Sequence, residues 1–330
     1  MIEKILDDLY RIPVPLPGNP LKELNSYFIR GTDGDLLIDL GFRQPECRKA
    51  LAVGLKELGS APERRDVLLT HLHSDHSGLA NDFVGPGRNI YISNTDKRYL
   101  ERILRGETAQ ALHDRYKSEG FPEAMLSMIE KTSPARIYSA QGMGSNVRGL
   151  DDGEVIQAGR YHLQTVLVPG HTPGCAMFWL KKQKTMFTGD HVLFDITPNI
   201  TAWTGIEDSL GNYLDSLRKS QAYPVEMALP GHRKGGDYHE RIEKLLTHHD
   251  RRIEEALRII KAAPGLNAYE IASRMKWKIR ASNWESFPVY QKWFAVGECL
   301  SHLDYLCRRG KISGELINGI YSYCPAQEFI

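Results

Sequence analysis

The first two thirds of the chain alternate short apolar runs with turn residues, which is the pattern of β-strands. Pro13, Pro15, Pro17 and Pro20 predict a loop near the start, because proline cannot donate a hydrogen bond within a sheet. Residues 181–184 separate two apolar runs and predict a hairpin. Strands are predicted at 26–29, 35–39, 66–70, 89–93, 135–139, 154–157, 161–168, 175–180, 185–188 and 225–229.

Apolar residues at helical spacing predict helices at 45–58, ended by Gly59, and at 208–221. Residues 95–132 lie between predicted strands but have a charged, helical pattern, which predicts an inserted helical segment. Such an insertion is either a lid over a site or a pair of packed surface helices. The pattern leaves both alternatives open.

The last third of the chain has a different pattern, with long helical stretches and little strand signal. Its predicted elements are helices at 238–263, 268–275 and 290–309 and a β tail at 311–312 and 320–323. Three helices followed by a two-stranded wing is the element order of a winged helix. We therefore predict a first domain, 1–236, and a winged-helix-like domain, 237–330.

Composition is that of an ordinary globular protein: of 330 residues, 42% are hydrophobic and 25% are charged, and the formal net charge is +1. This balance argues against broad, non-specific nucleic-acid binding. Acidic residues interrupt the N-terminus too early for a signal peptide and no run of 18 apolar residues occurs, so we expect a cytoplasmic protein without membrane spans. The five scattered cysteines lack a C-x-x-C pair and predict reduced, mostly buried thiols.

The densest cluster of metal-binding side chains is T-H-L-H-S-D-H, residues 70–76, directly after a predicted strand. His71 and His73 lie two apart on an extended segment and can point the same way, so they can share one metal ion. Asp75 and His76, beyond the turn, would face a second ion. A helix beginning near them favours the ionised carboxylate and the uncharged imidazole.

Three later loops complete this cluster. Each follows a predicted strand and carries one metal-binding side chain beside a glycine, which lets the backbone turn tightly: His171, Asp190 and His232. Zinc-type ions prefer imidazole nitrogen and carboxylate oxygen, and two-metal hydrolases need both centres close together. We therefore predict a two-metal site formed by His71, His73, Asp75, His76, His171, Asp190 and His232.

The other histidines are left out of the site, because an isolated histidine near a strand end is more often a hydrogen-bonded structural residue. This interpretation applies to His113, His162, His191, His239 and His302. The adjacent His248 and His249, on the predicted long helix, are interpreted as a helix-surface or domain-contact pair.

Four motifs together resemble those of the metallo-β-lactamase superfamily over about residues 10–235: H-L-H-S-D-H at 71–76, P-G-H-T-P-G at 169–174, F-T-G-D at 187–190 and P-G-H at 230–232. The resemblance implies an α+β fold, the αββα four-layer sandwich, with two mixed sheets face to face and metals at one edge between them. It also implies that Asp39 supports the ligands from behind. Residues 247–255 are similar to the start of the winged-helix tail of lactamase-beta-like hydrolases.

The family pattern implies two sets of three ligands and one bridging carboxylate: His71, His73 and His171; Asp75, His76 and His232; and Asp190. These ligands are typical of zinc, with iron and manganese as alternatives. Two cations that share a water lower its pKa to about 7, so a bridging hydroxide would attack an ester-like bond. Asp75 would hold or orient the proton of this nucleophile, which makes it the predicted catalytic residue.

The ligand set resembles that of hydroxyacylglutathione hydrolase, a thioesterase, although the predicted tail differs from the tail of that enzyme and argues against glutathione as substrate. Asp190 stands where one group of true β-lactamases has cysteine, which argues against antibiotic hydrolysis. The first hypothesis is therefore hydrolysis of an acyl thioester or a related small ester or lactone. The alternative is an endoribonuclease or phosphodiesterase, with phosphate contacts from Arg233, Lys234, Arg308, Arg309 and Lys311.

A DNA-binding or redox metal protein is a third hypothesis, since winged helices bind DNA through a basic recognition helix. The corresponding helix, 290–309, is rich in apolar residues and basic mainly at its end. It is better suited to pack against the first domain or a second copy of the chain, as in a homodimer. Trp203 is the aromatic residue that we predict in the wall of the substrate pocket.

Overall fold

Two β-sheets form the centre of the computed structural model, which describes residues 1–140, 142, 146–278 and 281–326. The first sheet has seven strands in chain order: β1 (Glu3–Leu6), β2 (Leu9–Pro15), β3 (Glu23–Ile29), β4 (Asp35–Ile38), β5 (Arg65–Leu68), β6 (Ile90–Ser93) and β7 (Val147–Leu150). The second has the order β12-β11-β10-β9-β8: β8 (Val155–Ala158), β9 (Tyr161–Leu167), β10 (Ala176–Leu180), β11 (Thr185–Gly189) and β12 (Met227–Pro230). Both sheets mix parallel and antiparallel pairs.

The helices surround these sheets and fill the C-terminal region. In chain order they are α1 (Pro45–Glu57), α2 (Ser74–Ser77), α3 (Ala80–Phe83), α4 (Asn94–Leu104), α5 (Ala109–Ser118), α6 (Glu123–Thr132), α7 (Pro134–Ile137), α8 (Ser209–Ser220), α9 (Tyr238–Ala262), α10 (Ala268–Arg274) and α11 (Val289–Arg308). A two-stranded sheet, β13 (Ile312–Ile317) and β14 (Ile320–Pro325), follows α11. Within the described ranges, no helix is long and apolar enough to cross a membrane.

Apolar residues on both faces of the strands explain the layered arrangement. Along β10, Phe178 belongs to the core between the sheets, while Met177 and Trp179 on either side belong to the core beneath α8 and α9. A strand that is covered on both faces must be apolar throughout, as β10 is. Since α1 covers the outer face of the first sheet, the layers are helix, sheet, sheet and helix. The predicted αββα sandwich is confirmed.

Most predicted helices have the expected bounds. The helix predicted at 45–58 is α1, with Pro45 in its first turn and Gly59 just beyond its end at a φ of 67°. The helix predicted at 208–221 is α8, and Asp208 accepts a hydrogen bond from the Gly211 amide at its start.

Two local predictions were wrong, and one strand was missed. Pro13 and Pro15 lie in β2, not in a loop; the pairing of β1 with β2 ends opposite Arg11, so these prolines lie beyond the stretch of β2 that is paired on both sides. Residues predicted as a strand at 135–139 begin with the helical turn α7, where proline takes the first position. The polar strand β7 was not predicted.

The insertion contains three helices, α4, α5 and α6, as its pattern predicted. Its buried residues Tyr116, Phe121 and Leu126 share one apolar core with residues of α9, α10 and α11 such as Ile271 and Leu300. The insertion is therefore neither a simple lid nor only a pair of surface helices. Its helices α5 and α6 pack against the C-terminal region, whereas Tyr99 of α4 belongs to the core of the first sheet.

The long helix α9 contributes to two cores. Ile242 and Leu245, in its first half, pack on the second sheet, whereas Ala256 and Ile260 pack in the C-terminal core. A boundary at residue 236 remains a prediction, but in packing terms the first half of α9 belongs with the sandwich. The C-terminal region has the predicted order of helices and a small sheet; its description as a winged helix also remains a prediction.

Candidate metal centre

The predicted ligands follow strands whose carboxyl ends share an edge of the sandwich. In the first sheet β4 and β5 are parallel and lead to Asp39 and to residues 70–76. In the second sheet β11 and β12 are parallel and lead to Asp190 and His232. Because parallel strands end on the same side, these loops meet there, and the loop between β9 and β10 adds His171.

Three overlapping groups of side chains form in this space. Within each group, one candidate ligand atom per residue lies within 4.8 Å of the others, and each group could hold a metal ion. The groups are His71, His73 and His171; His71, His76 and Asp190; and Asp75, His76 and His232. All seven predicted ligands are included, and none is left outside.

Asp190 lies between the two outer groups. Its Oδ2 is 3.8 Å from Nε2 of His171 and 3.5 Å from Nε2 of His232, and its Oδ1 is 3.5 Å from Nε2 of His76. Burial opposes ionisation of Asp190, but the charges of His232 and His76 outweigh it and hold the pKa of this carboxyl well below its ordinary value. An ionised carboxylate in this position can contact two cations at once.

Asp39 orients two of the histidines. Its Oδ2 accepts hydrogen bonds from Nδ1 of His76 at 2.8 Å and from the Thr70 hydroxyl at 2.7 Å. Because the Thr70 hydroxyl gives its proton to Asp39, it accepts from Nδ1 of His71 at 3.0 Å. In both imidazoles the proton is thereby held on Nδ1, and the Nε2 lone pair is left for a metal.

Backbone carbonyls orient two further histidines in the same way. Nδ1 of His171 donates to the Asn199 carbonyl at 3.0 Å, and Nδ1 of His232 donates to the Glu23 carbonyl at 2.8 Å. Four of the five imidazoles therefore present Nε2 to the centre, as metal-binding histidines do.

The unpaired atoms and the close backbone at the centre fit bound cations. Nε2 of His171 and Oδ1 of Asp190 are buried and have no hydrogen-bond partner among the described residues. A Cβ atom at Gly231 would lie 2.6 Å from Oδ1 of Asp190 and 2.7 Å from Cε1 of His76, so only glycine lets the backbone pass this close. Buried polar atoms without partners are costly, and a cation would satisfy them.

The electrostatics favour the metal-binding protonation states of His71, His73 and Asp75, but not that of His76, for which an uncharged imidazole was expected. Burial lowers the pKa of His73 to about 3 and that of His71 well below its ordinary value. Burial disfavours the charged form of Asp75, but the hydrogen bond and charge of His232 prevail and lower its pKa to about 2. For His76, burial is outweighed by Asp39 and Asp190, which raise its pKa. The same carboxylates attract a divalent cation, which competes with that proton.

Comparison with known proteins gives the family of the chain. A family model described as the metallo-beta-lactamase superfamily matches residues 22–232. The chain belongs to this superfamily. Members bind divalent metals, usually two, so membership and the three groups together confirm the prediction of a metal-dependent hydrolase. The identity of the metal stays a prediction.

Two relatives in the superfamily are named as thioesterases. Human acyl-coenzyme A thioesterase MBLAC2 is 28% identical over 217 residues, which cover 63% of this chain and 72% of the relative. The atrochrysone carboxyl ACP thioesterase of Emericella nidulans is 26% identical over 217 residues, covering 66% of this chain and only 53% of the relative. A crystal structure of a metallo-beta-lactamase family protein from Thermus thermophilus is 28% identical, has a TM-score of 0.83 and covers 98% of this chain and 100% of its own.

Trp203 lies beside the first group of ligands in this superfamily member. Its ring stacks on His73 at 5.6 Å between centroids, and its Nε1 donates to the His171 carbonyl at 3.1 Å. Tyr99, from the insertion helix α4, packs edge-on against Trp203 at 5.1 Å. Trp203 therefore contacts the metal centre, in the region where we predicted the pocket wall.

Sequence reasoning missed the residues that fix the loops. Nδ2 of Asn25 and the hydroxyl of Tyr27 both donate to the Pro230 carbonyl, at 2.9 and 2.8 Å, just before His232. Asp96, in the first turn of α4, contacts two ligand loops. The S-x-x-D spacing from Ser93 to Asp96 is typical of a helix start and could have placed Asp96 at the strand end.

The histidines that were left out of the site belong to none of the three groups in the described part of the chain. His113 faces Glu123 and Glu130. His249 is fully buried against His302 of α11, so it is a contact residue between helices and not a surface residue.

The arginines that were considered for phosphate binding have partners within the protein, acidic residues for two of them and a backbone carbonyl for the third. Arg308 pairs with Glu207, and Nη1 of Arg309 lies 2.8 Å from Oδ2 of Asp208. Nη2 of Arg233 donates to the Pro20 carbonyl at 2.9 Å. These contacts engage the arginines within the protein, so they do not favour the nuclease hypothesis.

Proposed function

We propose that this protein is a two-metal hydrolase that cleaves acyl thioesters, with small esters and lactones as related substrates. The observation that carries the proposal is the position of Asp190, within 3.8 Å of His171 in one outer group and within 3.5 Å of His76 and His232 in the other. Because one carboxylate faces both groups, the geometry favours a centre with two adjacent cations over two independent metal sites.

We assign the ligands to the two ions by these groups. One set is His71, His73 and His171, the other is Asp75, His76 and His232, and Asp190 lies between them. When bound, the two cations lower the pKa of water to about 7 and polarise a carbonyl oxygen, which is the chemistry that ester hydrolysis needs. Nitrogen and oxygen ligands favour zinc, with iron or manganese as alternatives.

The chain itself supplies orientation, a proton acceptor and an apolar surface. Asp75 is ionised, and its Oδ2 lies 3.4 Å from Nε2 of His232, so it can orient the attacking water and accept its proton. Trp203 offers the apolar surface nearest to the ligands, which suits the acyl part of a thioester.

The substrate class rests on chemistry and on the relatives. Two relatives are named as thioesterases, one of acyl-coenzyme A and one of an acyl carrier protein, at 28% and 26% identity. An aspartate at position 190 completes the seven-ligand set on which the thioesterase hypothesis was built. The nuclease alternative stays a prediction, and no contact among the described residues favours it.

Elemental analysis and a substrate panel test the proposal on one purified sample. We expect two divalent ions per chain and faster cleavage of an acyl-coenzyme A than of a lactone or a phosphodiester. Asp190→Ala should lower the ion content and reduce kcat/KM by about 1,000-fold, or about 4 kcal/mol. Unchanged activity in this variant would contradict the two-metal site, whereas two ions with cleavage of phosphodiesters alone would favour the nuclease.

A further inference from the structure

We propose that Asp96, from the helical insertion, is a positioning residue that holds the two loops carrying His71, His73 and His171 in register for one metal ion. This inference rests on the metal centre of the proposed function. It assigns a role in that centre to a helix outside the ligand loops.

The Asp96 carboxylate accepts three hydrogen bonds from described residues, and all three come from the two loops. Its Oδ2 accepts from the Leu72 amide at 2.9 Å and from the Thr172 hydroxyl at 2.7 Å. Its Oδ1 accepts from the Gly174 amide at 2.6 Å. Leu72 lies between two histidine ligands and Thr172 follows the third, so one carboxylate links both parts of the three-histidine group.

The location of Asp96 makes this link rigid. The residue is fully buried and lies in the first turn of α4, where its amide donates to the Ser93 hydroxyl at 3.1 Å. Because Asp96 is part of the first turn of α4, neither loop can move without losing its hydrogen bond to Asp96 or moving that turn. Burial raises the pKa of Asp96 to about 6, so the carboxyl is still mostly ionised at neutral pH. All three partners are donors, so the ionised carboxylate, which only accepts, satisfies them.

The backbone at Gly174 is shaped to this contact. A Cβ atom there would lie 2.5 Å from the Asp96 amide nitrogen and 2.9 Å from Oδ1 of Asp96. A contact with backbone at that distance cannot be relieved by moving a side chain. The loop after His171 therefore approaches α4 as closely as it does only because position 174 has no side chain.

Metal affinity measures the consequence. A ligand set that is no longer held in register must be ordered by the metal itself, and loss of such supporting contacts lowers metal affinity by about 10- to 100-fold. The hydrogen bonds of the Asp96 carboxylate fall on the loops of the first set, whereas His76 is held by Asp39 and the loop of His232 by Asn25 and Tyr27. We therefore expect one of the two ions to bind more weakly when Asp96 is replaced.

The test compares Asp96→Asn with Asp35→Asn. Asp35 is also a buried carboxylate, accepting from the Ser60 hydroxyl at 2.7 Å, but it lies at the opposite end of β4 from Asp39. Chelator competition with Zn²⁺ gives the affinity of each ion, and Co²⁺ loading gives the absorption of each site. The melting temperature of the metal-free forms measures general destabilisation.

We expect Asp96→Asn to bind one ion about 10- to 100-fold more weakly, to change one of the two Co²⁺ signals, and to lower kcat more than it changes KM. Asp35→Asn should bind both ions as the wild type does, even where its metal-free melting temperature falls as much. Equal weakening in both variants, or full affinity in Asp96→Asn, would overturn the assignment.

A second variant distinguishes the loss of one hydrogen bond to Asp96 from the loss of the negative charge of Asp96. Thr172→Val removes one donor to Asp96 at nearly constant volume and leaves the carboxylate in place. We expect a weaker effect on the same ion, and an effect on the other ion instead would count against the role of Asp96. Failure of the wild type to bind two ions would refute the proposed function, a result distinct from all of these.

Discussion

Among the residues that the structure describes, two clusters of buried or partly buried histidines occur, and one of them contains the groups that could hold a metal ion. The metal-centre cluster consists of His71, His73, His76, His171 and His232. The helix-side cluster consists of His191, His249 and His302, all fully buried. The ring centroids of His191 and His249 lie 5.2 and 5.4 Å from that of Tyr213, and that of His302 lies 5.5 Å from that of His249. Burial and aromatic contact are therefore common to both and do not make a metal site.

The difference lies in the neighbouring charges. The metal centre contains Asp39, Asp75 and Asp190, and its Nε2 atoms converge. In the helix-side cluster Nε2 of His302 faces Nδ1 of His249 at 3.5 Å, and burial together with the charge of Arg252 lowers the pKa of both. In the metal centre the carboxylates face the Nε2 atoms, whereas beside the helix-side cluster the carboxylates of Glu255 and Glu298 pair with Arg252; this difference distinguishes the two clusters.

Exchange of one histidine in each cluster gives the largest expected contrast. His71→Ala removes a residue shared by two ligand groups, so ion content should fall and kcat/KM should drop by about 1,000-fold or more. His302→Ala should retain two ions, because its ring belongs to no ligand group among the described residues. Ion content measured by elemental analysis decides the comparison, and an equal loss in both variants would contradict it.

Metal removal tests the same contrast through stability. Cations that bind only the folded state stabilise it by about 4 kcal/mol at about 1,000 times their dissociation constant. A chelator should therefore lower the melting temperature of the wild type and of His302→Ala by similar amounts, and that of His71→Ala by much less. A chelator effect that survives in His71→Ala would indicate a metal elsewhere in the chain.

The metal centre was predictable because its ligands lie in short motifs at strand ends. His71, His73, Asp75 and His76 fall within six residues, and each remaining ligand stands beside a glycine after an apolar run. The layers were expected from the resemblance of these motifs to the metallo-β-lactamase superfamily, and the periodicity predicted individual strands and helices. The motifs and the periodicity are both read from short stretches of sequence. The sandwich fold then brings the ligand motifs together at one edge.

Long-range contacts could not be predicted. Asp96 holds partners 24, 76 and 78 residues away, and nothing near it in the chain indicates them. Pro13 could be placed in a strand only by knowing where β1 ends, and the packing of Tyr116 against the C-terminal helices depends on a neighbour far along the chain. Each depends on tertiary structure and not on periodicity.

Acid should destabilise the protein through the helix-side cluster. Burial lowers the pKa of His302 to about 3, and that of His249 well below 6.5, so both are neutral when folded. Below about pH 6.5 the unfolded chain binds more protons, so this stability is full above about pH 6.5 and falls with decreasing pH. The loss is at most about 1.4 kcal/mol per pH unit for each histidine.

Several charged and polar groups lie beside the rings of His249 and His302 and affect their titration. They are Arg252 and His248 from α9, Tyr213 from α8 and the Glu298 carbonyl from α11. Urea unfolding of the metal-free protein between pH 7 and 5 should show a shallower pH dependence in His302→Asn. The exposed His162 provides the control, and the same change in His162→Asn would contradict the role of the buried pair.

The smallest expected effect concerns a stacked aromatic contact of a kind that both clusters contain. Trp203 stacks on His73 at 5.6 Å and 26°, much as His249 stacks on His302 at 5.5 Å and 30°. If stacking does not distinguish the clusters, Trp203→Phe should retain two ions. It keeps an apolar ring and loses only the hydrogen bond to the His171 carbonyl, worth about 1 kcal/mol.

We therefore expect kcat/KM for an acyl thioester to fall less than about tenfold in Trp203→Phe, and further in Trp203→Ala, which also removes the apolar surface. Steady-state kinetics with acyl chains of increasing length separates these terms, since a contact with the acyl group should raise KM more for longer chains. Loss of an ion in Trp203→Phe would mean that the ring itself helps to hold His73 and His171. Carboxylates would then be insufficient to explain why one histidine cluster binds metal and the other does not.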